Sequence, residues 1–156
     1  MHFSNYTDNE NVEFGEMYPG AYLLGLLSAF DNRYQASADS FFHEITWKQF
    51  FAVICINLCK KSPTINELSE IMGSSHQNVK QILLKLEKKG FIQMIVDEED
   101  RRKQRIIITK RCELFCQNND EESTRKVEKI FKNVSEVEII AAINTISKME
   151  RNIKTL

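Results

Sequence analysis

The residues best equipped for chemistry lie between positions 75 and 105. Ser75, His76, Gln77, Asn78, Lys80, Gln81 and Lys85 form one polar and basic set, and Asp100, Arg101, Arg102, Lys103 and Arg105 form a second. The amides of Gln77, Asn78 and Gln81 each offer a donor beside an acceptor, which pairs with adenine N6 and N7 in a major groove. Lys80 and Lys85 can reach phosphates, and so can the Ser75 hydroxyl at a helix start, where backbone N–H groups attract anions. An arginine from the second set suits the narrow, electronegative minor groove. Asp100 suits an anchor that accepts from a nearby guanidinium and stiffens the loop. Each set alone has a plainer reading, a solvated helix face or a soluble loop. Their adjacency in sequence favours recognition of double-stranded DNA.

Bond-making chemistry finds little support. The sequence has no phosphate-binding glycine loop, no HExxH and no Gly-x-Ser-x-Gly elbow, so no enzyme and no cofactor is expected. Its three histidines, His2, His43 and His76, are scattered, which argues against a histidine metal site. The four cysteines form two i, i+4 pairs, Cys55/Cys59 and Cys112/Cys116. On helices each pair shares a face, so zinc binding or a redox role stays open. The apolar surroundings of Cys55 and Cys59 favour plain packing, and no metal is assigned. Tyr34, His43, Trp47 and Phe50 cluster near a helix junction and could line a small-ligand pocket, or simply pack there.

Elements that would position these groups follow from spacing. Leu23, Leu26, Leu27, Phe30 and Tyr34 predict a helix from about Tyr18 to Phe42, with Pro19 in its first turn. Thr46 to Gln49 reads as a capping box for a helix apolar nearly all round, hence buried. Pro63 forces a break. Thr64 to Glu67 is a second capping box, opening a short helix whose inner face is Ile65, Leu68, Ile71 and Met72. Gly73 ends it. Ser75 can cap a longer helix to Lys89, with Val79, Ile82, Leu83 and Leu86 as one core stripe and Gly90 as its stop. Phe91–Val96 and Arg105–Thr109 read as strands of a hairpin with a charged tip. A long helix to about Lys132 follows, weak at Asn118-Asn119. Ser135 to Glu138 is a third capping box, and Ile139, Ile143, Ile146 and Ile153 line the last helix.

The net charge of −1 says nothing about nucleic acid, but its distribution does. Lys60 to Arg111 carries 12 Lys/Arg against 7 Asp/Glu, and the rest carries 9 against 15. A basic middle between acidic ends suits a nucleic-acid module in an acidic scaffold. Only 5 glycines and 2 prolines interrupt 156 residues, so long helices are expected. No apolar run reaches the roughly 18 residues a membrane span requires. Met1 to Glu16 lacks the basic end and apolar core of a signal peptide. A cytoplasmic location, with free thiols, is the expectation.

Asn66-Glu67-Leu68, Ser75 through Leu86-Glu87-Lys88-Lys89-Gly90-Phe91-Ile92, Asp97-x-x-Asp100-Arg101-Arg102 and Ile108-Thr109-Lys110 together carry a resemblance. From about residue 20 to 150 the chain resembles the MarR family of bacterial regulators. The resemblance implies a mainly α (α+β) winged helix-turn-helix, with a two-stranded wing and a helical dimerisation region drawn from both termini. Residues 1–17 would be an arm, 18–45 and 110–156 the dimerisation region, and 46–109 the DNA-binding lobe. Asp100 and Arg102 would occupy the family's wing positions, and small ligands would sit between lobe and dimerisation region. The expected function is a homodimeric, ligand- or stress-responsive repressor on a palindromic operator. A winged helix used only for protein–protein contact is the alternative. Cys112 stands where the family often has glycine. No cysteine precedes position 55, so the N-terminal thiol of the family's peroxide sensors has no counterpart here.

Overall fold

Short side chains at helix starts set the frame of the computed structural model, which describes Gly15 and residues 17–156. Thr46 Oγ1 accepts from the Gln49 N–H at 3.4 Å while the Gln49 amide oxygen accepts from the Thr46 N–H at 3.3 Å. Thr64 with Glu67 and Ser135 with Glu138 repeat the arrangement, and Ser75 accepts from the Asn78 N–H. Each cap satisfies donors that the first helical turn leaves unpaired. The resulting order is α1 (Pro19–Ala38), α2 (Trp47–Leu58), α3 (Ile65–Met72), α4 (His76–Lys88), β1 (Ile92–Val96), β2 (Gln104–Ile108), α5 (Lys110–Ile130) and α6 (Glu136–Ile153). This is the expected winged helix-turn-helix class.

The chain divides into two units, one ending at Gln117 and one from Asn118 to Leu156. In the first unit the core stripe of α4 falls where its spacing put it: Val79, Ile82, Leu83 and Leu86 are all buried. They meet Val53 and Ile56 of α2, Leu68 of α3 and Ile106 of β2 in one apolar cluster. Gly73 and Gly90 have φ of 59° and 74°, a region open to glycine at little cost. There the chain turns sharply, and the N–H groups of Ser74 and Phe91 close the ends of α3 and α4 on the carbonyls of Ser69 and Leu86.

Strands β1 and β2 pair antiparallel, Ile92 opposite Ile108 and Val96 opposite Gln104. A single bridge from Thr64 to Arg105, and the Ile106 N–H on the Pro63 carbonyl, fasten the hairpin to the entry of α3. The base of the wing is thus tied to the start of the helix-turn-helix.

Four boundary or burial expectations need correction. α1 stops at Ala38, not Phe42, because Phe42 leaves the helix to enter the core, its ring 4.4 Å from Phe50 and 5.6 Å from Phe115. α2 is not buried all round: Asn57 and Leu58 at its last turn face outward, Leu58 with 74% of its surface exposed. Ile71 lies off the inner face of α3 and is exposed, leaving Ile65, Leu68 and Met72 to pack. α5 runs through Asn118-Asn119 without interruption.

In the second unit, i, i+4 ion pairs Glu121–Arg125 and Glu122–Lys126 run along α5. No residue of α6 is buried. Of its apolar row, Ile139 is half-buried while Ile143, Ile146 and Ile153 are exposed, and Val137 is exposed as well.

Candidate nucleic-acid interface

Burial of the α4 stripe dictates what the other side of that helix shows. Ser75, His76, Gln77, Asn78, Lys80, Gln81 and Lys85 are all exposed. At the N-terminal end the Asn78 amide donates to the Ser74 hydroxyl at 2.8 Å, so part of its capacity is spent locally. At the C-terminal end Lys89 is turned inward, donating to the Glu44 carbonyl and, at 3.2 Å, to the Gln49 amide oxygen. The Glu87 carboxylate accepts from the Met94 N–H at 2.9 Å and joins the helix to β1.

The wing tip is built around a carboxylate that sequence reasoning did not single out. Asp97 is buried, and one of its oxygens accepts from the backbone N–H groups of Glu99 and Asp100 at 2.8 and 2.7 Å. Its other oxygen accepts from Arg105 Nε. The Asp100 N–H above all, then the Arg105 guanidinium, hold the Asp97 carboxyl down at about 2. The signal was present: an aspartate followed by a short polar run is the signature of an Asx turn, in which the side chain caps backbone two and three residues on.

Arg105 is correspondingly not presented outward like its neighbours. It is part-buried, with Nη1 donating to the Ser62 carbonyl at 3.1 Å and to Glu67 at 3.3 Å. Its place among outward-facing wing cations is corrected on that ground: Asp97, Ser62 and Glu67 consume its donors, and it joins the wing to α3. Asp100 acts as the expected local anchor, accepting from Arg102 Nε at 3.1 Å with Lys103 Nζ at 3.4 Å. The guanidinium of Arg102 nonetheless stands clear, its side chain 92% exposed. Arg101 and Lys103 are exposed too. Between α3, α4 and the wing lies a cleft of about 230 Å³, with His76, Lys80, Arg102 and Lys103 on its walls.

A second, larger cleft of about 450 Å³ lies between α1, α2, α3 and the start of α4. Tyr34 and Trp47 line it, meeting edge to face at 4.7 Å. Burial pushes the Tyr34 hydroxyl up from its ordinary range. His43 and Phe50 do not line it. His43 is exposed on the loop before α2, and Phe50 turns into the core against Phe42. One residue further round the helix, Phe51 takes that place, stacked near Trp47 with Met72 and Asn78 also on the wall.

Cys55 and Cys112 are buried, Cys59 and Cys116 half-buried. Burial, then the neighbouring Cys59, pushes the Cys55 thiol up, and the hydrogen bond with Cys116, then burial, does the same for Cys112. Both are thereby kept in the thiol form, which is the poorer nucleophile and metal ligand. Among the described residues no group of three or more His, Cys, Asp or Glu could hold a metal ion.

A helix-turn-helix followed by a two-stranded wing defines the class of protein, and solved structures share its fold. A MarR/EmrR family transcriptional regulator from Acinetobacter sp. ADP1 superposes with a TM-score of 0.79 at 13% identity, covering 90% of this chain and 100% of its own. The S. aureus MepR–DNA complex gives 0.72 at 19% identity, covering 88% and 99%. Bordetella bronchiseptica BpsR, whose DNA binding is regulated by 6-hydroxynicotinic acid, gives 0.71 at 15% identity, covering 83% and 98%. No curated protein matches the chain. Residues 45–103 match the model of the MarR family. Over those residues the winged-helix lobe of this chain is similar to the MarR family.

Proposed function

We propose that the protein binds double-stranded DNA as a homodimer, with α4 in the major groove and the wing tip in the flanking minor groove. The observation that carries this reading is the exposed polar face of α4 beside an exposed Arg102, the wing between them held by the Asp97–Arg105 tie. Gln77, Asn78 and Gln81 are the base-reading candidates, Lys80, Lys85, Arg101 and Lys103 the phosphate contacts, and Arg102 the minor-groove probe. Arg105 and Asp100 serve as positioning groups.

Residues 46–109 act as the DNA-binding lobe in this reading, with 18–45 and 110–156 as the dimerisation region. Val137, Ile143, Ile146 and Ile153 support it, since exposed aliphatic rows of this kind mark surfaces that a partner covers. A two-fold dimer presents its recognition helices about 34 Å apart, which fits a palindromic operator. The aromatic cleft at Tyr34 and Trp47 takes a small effector that shifts DNA affinity, and repression by occlusion of a promoter is the mode proposed. No helix among the described residues is long and apolar enough to cross a membrane, which is compatible with action in the cytoplasm.

Selection of genomic duplexes by the purified protein tests the reading. A palindromic consensus with half-sites one helical turn apart is expected, and Arg102→Ala weakens binding while the dimer persists. Failure to retain any duplex at low ionic strength would overturn it in favour of a protein–protein module.

A further inference from the structure

The cleft between α3, α4 and the wing joins the major-groove helix to the minor-groove tip, and its chemistry is unusually one-sided. Its walls are Thr64, Ile65 and Asn66 at the start of α3, His76 and Lys80 on α4, and Arg102, Lys103 and Gln104 on the wing. None of these carries a carboxylate. Two carboxylates lie just outside it: Glu67 pairs with Thr64 and Arg105, and Asp100 pairs with Arg102 and Lys103, leaving those two wall cations one net positive charge between them. The charged groups that share the cleft with His76 are thus Lys80 from its own helix and Arg102 and Lys103 from the wing, while α3 contributes only uncharged ones.

We infer that this cleft seats one backbone phosphate of bound DNA and that His76 is its proton-linked ligand, so that DNA affinity rises as pH falls. This rests on the DNA-binding reading above. A phosphodiester keeps its charge across the physiological range. Of the side-chain types lining the cleft, only an imidazole can change charge in the physiological range. Neutral His76 offers the phosphate one N–H donor. Protonated His76 offers a charge-assisted donor and a full positive charge. The complex therefore favours the imidazolium, and binding takes up protons. By linkage the affinity gain is fully present below the His range and is lost as pH rises through it. A rise of one pKa unit on binding corresponds to about a tenfold affinity change per occupied cleft. The cleft lies where α4 and the wing converge, so the same contact fixes how the two enter their grooves.

The test uses the full chain and a mixed-sequence duplex at low, constant ionic strength, with affinity measured between about pH 5.5 and 8. The native protein should bind about tenfold or more tightly at the acid end. His76→Gln should lose the pH slope and sit near the native high-pH affinity. His76→Lys should also be flat, but near the native low-pH affinity. His43→Gln should retain the native slope, since His43 is exposed outside the cleft. His76 is exposed in the first turn of α4, so far-ultraviolet circular dichroism should be unchanged in its variants. A pH-independent native protein, or a slope that survives His76→Gln, overturns the inference while leaving DNA binding intact. No duplex binding at any pH overturns the DNA reading itself.

Discussion

Salt dependence offers a quantitative check on how the cations are arranged. Lys80, Lys85 and Arg101 have no carboxylate partner among the described residues, whereas Arg102 and Lys103 share Asp100. Two cations on one carboxylate leave one net positive charge, so each protomer brings about four uncompensated charges to the duplex and a dimer about eight. Each phosphate neutralised releases counterions, and the logarithm of affinity falls with the logarithm of salt at about −0.9 per phosphate. The expected slope is about −7, which amounts to a loss of roughly four orders of magnitude between 50 and 200 mM salt. A monomer would give about half that slope. Lys85→Ala, which removes one contact per protomer, should flatten it by nearly 2 and weaken binding to all sequences alike. Fluorescence anisotropy of a labelled duplex across a salt series measures it. A slope shallower than about −2, or one unmoved by Lys85→Ala, would refute the assignment of these side chains to phosphates.

Three further outcomes are expected. Leu83→Ala removes a fully buried side chain from the stripe that seats α4 and should cost about 3–5 kcal/mol, read from urea unfolding. Asp97 has a folded pKa depressed to about 2, so its contribution to stability is present above the ordinary carboxylate value and is lost as pH falls toward about 2. Asp97→Asn should accordingly flatten the acid limb of a stability–pH profile, and an unchanged limb would remove the buried carboxylate from the wing's support. Trp47 is the single tryptophan and lines the larger cleft, so an aromatic ligand bound there should alter its emission. Tyr34→Ala should weaken that response; an unaltered titration would place the ligand elsewhere.

What could be read from sequence depended on whether the signal was local. The capping boxes at Thr46, Thr64 and Ser135 were legible because a cap is made within four residues. The α4 stripe was legible because Val79, Ile82, Leu83 and Leu86 repeat at helical spacing, and the exposed face followed from it. Side-chain direction where elements meet was harder. Phe50 and Phe51 are adjacent, equally apolar and both packed on the core, yet only Phe51 lines the cleft while Phe50 meets Phe42, which lies outside both helices. Arg105 belonged by composition with the cations of the tip. Its inward course depends on Ser62 and Glu67, some 40 residues earlier in the chain. Asp97 was overlooked because it sits in a run of four acids, where a solvated loop accounts for all of them equally well.

The two ends of α4 are held by different means, and this bears on how an occupant of the aromatic cleft could act. The C-terminal end is pinned from several directions: Lys89 to Glu44 and Gln49, Glu87 to the backbone of β1, and Phe91 into the core. The N-terminal end is held by the Ser75 cap, by one hydrogen bond from Asn78 to Ser74 and by the fully buried Val79. Ser74 and Asn78 are themselves walls of the cleft, together with Met72 and Gly73 at the end of α3. In the proposed reading, a molecule lodged against Tyr34 and Trp47 would lie against the start of the helix, where the Asn78 amide donates to Ser74. Drawing that amide into the cleft would remove a proposed base-reading group. Releasing it from Ser74 toward solvent frees its donor for the groove. On that reading the sign of the response, loss or gain of DNA affinity, would follow from whether the occupant accepts a hydrogen bond from Asn78 or excludes it.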